Sequence, residues 1–125
     1  MTMSKPIAIK WLDAPESHDY PAALSYLSLL FDLRTARAYV ARLRRAPGTA
    51  FKAKDLFRAS ALSLLGVSNS HVERDRRKIR SGKELSPLLL VRNAANARVI
   101  VADGYHRMCA VYSINEDAVI PCKIV

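Results

Sequence analysis

Cysteine is scarce in this sequence: Cys109 and Cys122 are the only two in 125 residues. Two thiols make no disulfide framework of the kind that holds small secreted domains together. Both sit in apolar surroundings, so small buried core thiols are expected in preference to a bridge or a metal pair. Long hydrophobic runs are missing too. None approaches the roughly 18–20 residues that cross a bilayer, and no membrane partner is expected. The opening "MTMSKPIAIKWLDAPES" lacks an apolar stretch followed by small residues, which argues against a secretory signal and for the cytoplasm. The sequence also lacks a Walker A loop, zinc-ligand spacing and a Gly-x-Ser-x-Gly elbow. There are no internal repeats and no low-complexity tract.

Acidic residues are in short supply, and unevenly so. The net charge is +9. From Arg34 to Lys83 there are 14 Lys and Arg against Asp55, Glu73 and Asp75, while the rest of the chain is slightly acidic. One region therefore holds all the positive excess, and it suits a polyanionic partner or a plain solvated surface. Aromatic residues that could stack on bases are few there, mainly Tyr39, Phe51 and Phe57, and no base-reading motif is present.

The length suits one domain, and half the residues are hydrophobic, which is globular composition. "PIAIKWL" is a possible first strand. Pro21 suits the first turn of a helix, with Asp19 as its cap. In that helix Ala23, Leu27 and Leu30, and Leu24, Leu27 and Phe31, recur at helical spacing. Asp32 is placed to cap a second helix reaching about Arg45, with Leu33, Ala36, Val40 and Leu43 as its apolar stripe. Arg42, Arg44 and Arg45 lie off that stripe, where they could hold DNA, RNA or an acidic protein. Pro47-Gly48 ends the hairpin.

Beyond it, "TAFKA" is a possible short strand and "KDLFRASALSLL" a possible helix ending near Gly66. "SNSHVERDRRKIR" suggests a capping box, Ser70 with Glu73, on a mostly solvated helix anchored by Val72 and Ile79. His71 is expected to be exposed. "PLLLV" (87–91) and "RVIVA" (98–102) are continuous apolar runs joined by "NAAN", as in a hairpin of buried strands. A helix from about Tyr105 to Ile114 and a last strand, "VIPCKIV", follow. Met108, Val111 and Tyr112 should point from the helix to the sheet, and Pro121 suggests an edge strand or a bulge. The fold class expected is α+β: a small mixed sheet with packed helices, preceded by an N-terminal helical hairpin.

The richest stretch is "VIVADGYHRMCAVYSI", a strand that breaks at Asp103-Gly104 and restarts as a helix. A helix N-terminus offers unpaired N–H donors and partial positive charge. Gly104 permits a close backbone approach, Arg107 adds a planar fork matched to phosphate oxygens, and His106 adds a further donor. Gly104, Tyr105, His106 and Arg107 are therefore candidate phosphate-binding residues. An ordinary strand-to-helix turn accounts for the same residues. Lys52 and Lys54 could line such a site or simply carry surface charge. His18, between Glu16 and Asp19, could reach a metal, move a proton or cap the helix behind it.

The order "GKELSPLLLVRNAANARVIVADGYHRMCAVYSINEDAVIPCKIV" resembles the ParB/sulfiredoxin superfamily, as a small bacterial member. The likeness covers about 43 residues and extends more weakly back to Phe51. It implies one domain, with a ParB/sulfiredoxin-like core over 49–125 and residues 1–48 as an added helical extension. It also implies that Gly104 to Arg107 bind a nucleotide such as ATP or CTP, with magnesium. Asp-Gly-x-His-Arg is similar to the loop of free-serine kinases in that superfamily, so Asp103 inherits a catalytic place beside the transferred phosphate, either holding magnesium or orienting the loop. Sulfiredoxins carry their cysteine where Tyr105 stands, so cysteine-based sulfinic-acid reduction is excluded. Partition proteins usually carry arginines at Tyr105-His106 and continue into a helix-turn-helix region, which does not follow here. The resemblance points to phosphoryl transfer or nucleotide hydrolysis; the alternative is a non-catalytic basic module of partition-protein type.

Overall fold

The computed structural model describes residues 7–66 and 68–125. It is an α+β structure with a mixed four-stranded sheet. Helices α1 (Asp19–Leu30) and α2 (Leu33–Arg45) form the N-terminal hairpin. Strand β1 (Thr49–Lys52) leads into α3 (Ala53–Ser60), and α4 (Ser70–Arg80) follows. Then come β2 (Leu88–Asn93), a single 3-10 turn at Ala94–Asn96, β3 (Arg98–Asp103), α5 (Tyr105–Ile114) and β4 (Val119–Ile124). The strand order is β1-β4-β2-β3, with β2 and β4 parallel and the other pairs antiparallel.

The run of apolar residues in β2 has a direct structural reason. Leu88, Leu89, Leu90 and Val91 are all fully buried, and alternation sends them to opposite faces of the sheet. Leu88 and Leu90 join a core with Met108 and Val111 of α5 and Val72 and Ile79 of α4. Leu89 and Val91 join a second core with Leu27 of α1 and Val40 and Leu43 of α2. Each such side chain contributes about 1.5–3 kcal/mol by leaving water. The helical hairpin is thus the cover of one sheet face. Tyr112 packs partly buried beside Met108 and Val111, as its spacing requires, and Cys109 and Cys122 are buried free thiols.

Several local expectations are corrected. Of "PIAIKWL", Pro6 lies outside the described residues; the rest forms no strand, and Trp11 makes one isolated parallel bridge to Leu85. Asp19 is the first residue of α1, not its cap, because its carboxylate is drawn to other partners. Leu30 and Leu33 stand exposed at the bend between α1 and α2, outside the apolar stripe. Helix α3 stops at Ser60, where Ala61 turns left-handed (φ 54°). The cap of α4 is Asn69, whose side chain accepts from the N–H groups of His71 (3.0 Å) and Val72 (3.2 Å), so Ser70 is already inside the helix. Pro121 lies in an interior strand. The Val125 N–H donates to the Leu90 carbonyl, so alternation turns the Pro121 nitrogen to the same side, just before the β2 ladder begins at Cys122. Its missing donor therefore costs the sheet no bond.

Candidate anion-binding site

Asp103 closes β3 and Gly104 is the N-cap of α5, with φ at 110°. A side chain there is excluded twice over. The backbone is left-handed, and a Cβ would lie 2.7 Å from Leu88 Cγ and 2.9 Å from Arg107 Nη2. The fold thus requires glycine where the sequence suggested an open backbone. No side chain caps α5, so its first turn keeps its helix-end donors, those of Tyr105, His106 and Arg107. These three residues line a pocket of about 230 Å³ in which Glu16, Asp19, Asp75, Glu84 and Asp103 stand against Arg74, Lys78 and Arg107.

Arg107 is only in part the free fork the sequence suggested. Its Nη2 donates to Asp103 Oδ2 at 2.9 Å and more weakly to the Pro87 carbonyl at 3.4 Å. Its Nε is buried without a partner among the described residues. The pair is largely buried, the side chains being 18% and 17% exposed. Burial pushes the Asp103 carboxyl above its ordinary value; Arg107 opposes this, and the nearby Asp19 adds to it. The Tyr105 hydroxyl donates to the Ser63 carbonyl, so its main-chain N–H is the donor left for an anion.

His106 faces α4. Its ring lies 4.9 Å from that of His71, and Tyr105 flanks it at 5.6 Å. Burial lowers its basicity most; His71, Arg74 and Arg107 lower it further, while Asp75 acts the other way. His71 is exposed as expected, and it also turns out to be a neighbour of the loop.

The structure brings two separate sequence clusters together. Glu16, His18 and Asp19 line the same pocket as Asp103 to Arg107. Asp19 is 2% exposed; its Oδ2 accepts from the Glu16 N–H at 2.9 Å and from the Ser86 hydroxyl. His18 Nε2 lies 3.0 Å from Glu16 Oε2 and 3.4 Å from Asp19 Oδ1. Arg74 and Lys78 of α4 add positive charge to the pocket wall. Sequence reasoning missed Ser86, Arg74 and Lys78 as site residues. The i,i+4 spacing of Arg74 and Lys78 puts them on one face of α4, but nothing local aims that face at Gly104.

The remaining candidates lie elsewhere. Arg42, Arg44 and Arg45 are exposed on α2; Arg42 and Arg44 stack over Tyr39 and Tyr20, at 5.8 and 4.4 Å from the ring centroids. Lys54 is paired with Asp117 at 2.6 Å and is no part of the pocket.

The chain matches no protein-family model, no curated protein and no solved structure. The ParB/sulfiredoxin resemblance accordingly rests on its motif alone. Among the described residues no helix is long and apolar enough to cross a membrane. No group of three or more His, Cys, Asp or Glu side chains among them is arranged to hold a metal ion.

Proposed function

We propose that this protein binds a nucleotide by its phosphates at the start of α5, with phosphoryl transfer or nucleotide hydrolysis as the reaction class. The observation that carries this reading is Gly104, whose left-handed turn over Leu88 opens an uncapped helix into a pocket that also holds Arg74 and Lys78. Main-chain donors, a helix dipole and the cations Arg74, Lys78 and Arg107 favour phosphate, and the carboxyls of Glu16, Asp19, Asp75, Glu84 and Asp103 in the same pocket call for a magnesium ion to arrive with it. Arg107 supplies a charge-assisted bond, and His106 donates a further one. Asp103 and Asp19 are the oxygen donors suited to a magnesium ion arriving with the nucleotide, whose other ligands would be phosphate and water. The alternative role for Asp103 is to orient the loop through its 2.9 Å bond from Arg107.

Calorimetric titration with ATP and with CTP, with and without magnesium, tests this reading. Saturable binding is expected, and Arg107→Ala should weaken it about ten- to a hundredfold, as loss of a charge-assisted bond does. Absence of binding by either nucleotide and by inorganic phosphate rejects it. Asp103→Asn separates a metal role, which predicts lost magnesium dependence, from a structural one.

A second reading has its own observation. Arg42, Arg44 and Arg45 are exposed on α2, with Arg42 and Arg44 lying over tyrosine rings, and together present positive charge to DNA, RNA or an acidic protein. Such contacts would be sequence-neutral and weaken steeply with salt.

A further inference from the structure

The loop at Gly104 stands between two different cavities. On one side is the small charged pocket; on the other a cavity of about 430 Å³ begins at Asp103–His106 and is walled by Ala22 and Tyr26 of α1 and by Leu62. It continues into a cavity of about 670 Å³, with Tyr26, Leu62 and Val101 common to both. Together they make one groove along β3, whose outer side pairs with no strand among the described residues. From Asp103 to Val99 it runs roughly 13 Å at ~3.3 Å per strand residue. Among the described residues its only charged linings are Asp103 and Arg98 at opposite ends, besides the titratable His106.

From this arrangement we infer that the groove along β3 holds the nucleoside of the nucleotide whose phosphates the α5 loop takes. This deepens the phosphate reading and rests on it. At the loop the occupant meets the main-chain donors of α5 beside the Asp103 carboxyl, a place for a phosphate that carries a magnesium ion, and along the strand it meets polar main-chain edges. A nucleotide matches both. Alternate N–H and C=O groups of an edge strand face outward, a row of donors and acceptors for the edge of a base. Tyr26, 41% exposed on the groove wall, offers its ring for stacking, and Leu62, 36% exposed, closes the other side. The charged pocket, at about 230 Å³ and lined mostly by ionisable side chains, suits phosphate and offers a base little apolar surface.

The test compares ATP, CTP, GTP and UTP with inorganic tripolyphosphate, which carries the charge without the nucleoside. At least one nucleotide should bind about tenfold or more tightly than tripolyphosphate, as expected of a stacked base. Tyr26→Ala and Ala22→Trp, both at exposed positions on α1, should abolish that advantage and leave tripolyphosphate affinity unchanged. Equal affinity for tripolyphosphate and all four nucleotides overturns the nucleoside groove while leaving the phosphate site standing. A nucleotide advantage that survives both variants also overturns it. If neither nucleotides nor tripolyphosphate bind, the phosphate reading fails, and the groove assignment with it.

Discussion

At Asp103, desolvation and the Arg107 guanidinium act in opposite directions on one carboxyl group, and desolvation is the larger. A carboxyl whose folded pKa is raised contributes stability that is present at low pH and is lost as pH rises through the folded value. Carboxyl-carbon NMR should therefore find Asp103 titrating above 3.8, and higher still in Arg107→Ala, which removes the opposing cation. His106 has the reverse sign. Its basicity is depressed below 6.5, so its contribution is present above that pH and is lost as pH falls through the folded value. Its imidazole resonances should titrate below 6.5 in the free protein and move upward when a polyphosphate is bound, since the anion favours the imidazolium. Gly104→Val should cost at least about 2 kcal/mol, from the left-handed backbone and overpacking against Leu88. A lowered Tm in thermal melts checks it.

The four strands of the sheet were legible, although "PIAIKWL" reads as a strand and forms only an isolated bridge at Trp11. Runs such as "PLLLV" have no polar alternation because β2 is buried on both faces, so burial and pattern agree. Helix ends were less legible. Asn69 and Ser70 are adjacent and equally fit to cap, and the choice depends on where the chain arrives from the preceding loop. Asn69→Ala should destabilise the protein by ~1 kcal/mol, whereas Ser70→Ala, inside the helix, should be nearly neutral; chemical denaturation measures both. Pro121 shows a similar limit: its presence signals a missing donor, but only the register with β2 reveals that no acceptor awaits it.

Across the whole molecule, the α5 loop was readable because Asp103 to Arg107 are contiguous. The meeting of that loop with Asp19 was not, since these residues are 84 positions apart and joined only by the tertiary fold. The arginines of α2 give a test at the same scale. Reversing Arg42, Arg44 and Arg45 to Glu should lower the melting transition modestly, through lost cation–π contacts to Tyr39 and Tyr20 and charge reversal at the C-terminus of α2, without unfolding the protein, and should abolish any low-salt binding to random duplex DNA. By contrast, a fragment of residues 49–125 should not give a soluble monomer in gel filtration, because Leu89, Val91 and Ala102 lose the cover of α1 and α2. The strand order has a consequence for biosynthesis. The interior strand β4 is the last of the four to leave the ribosome, yet β1 and β2 both pair with it. Until residue 119 has emerged, β1 waits without a partner and the leucines of β2 sit in an unfinished sheet. The leucines of β2 therefore stay unsheltered from their own synthesis until β4 is made, a late stretch of translation in which a holding chaperone would find its client.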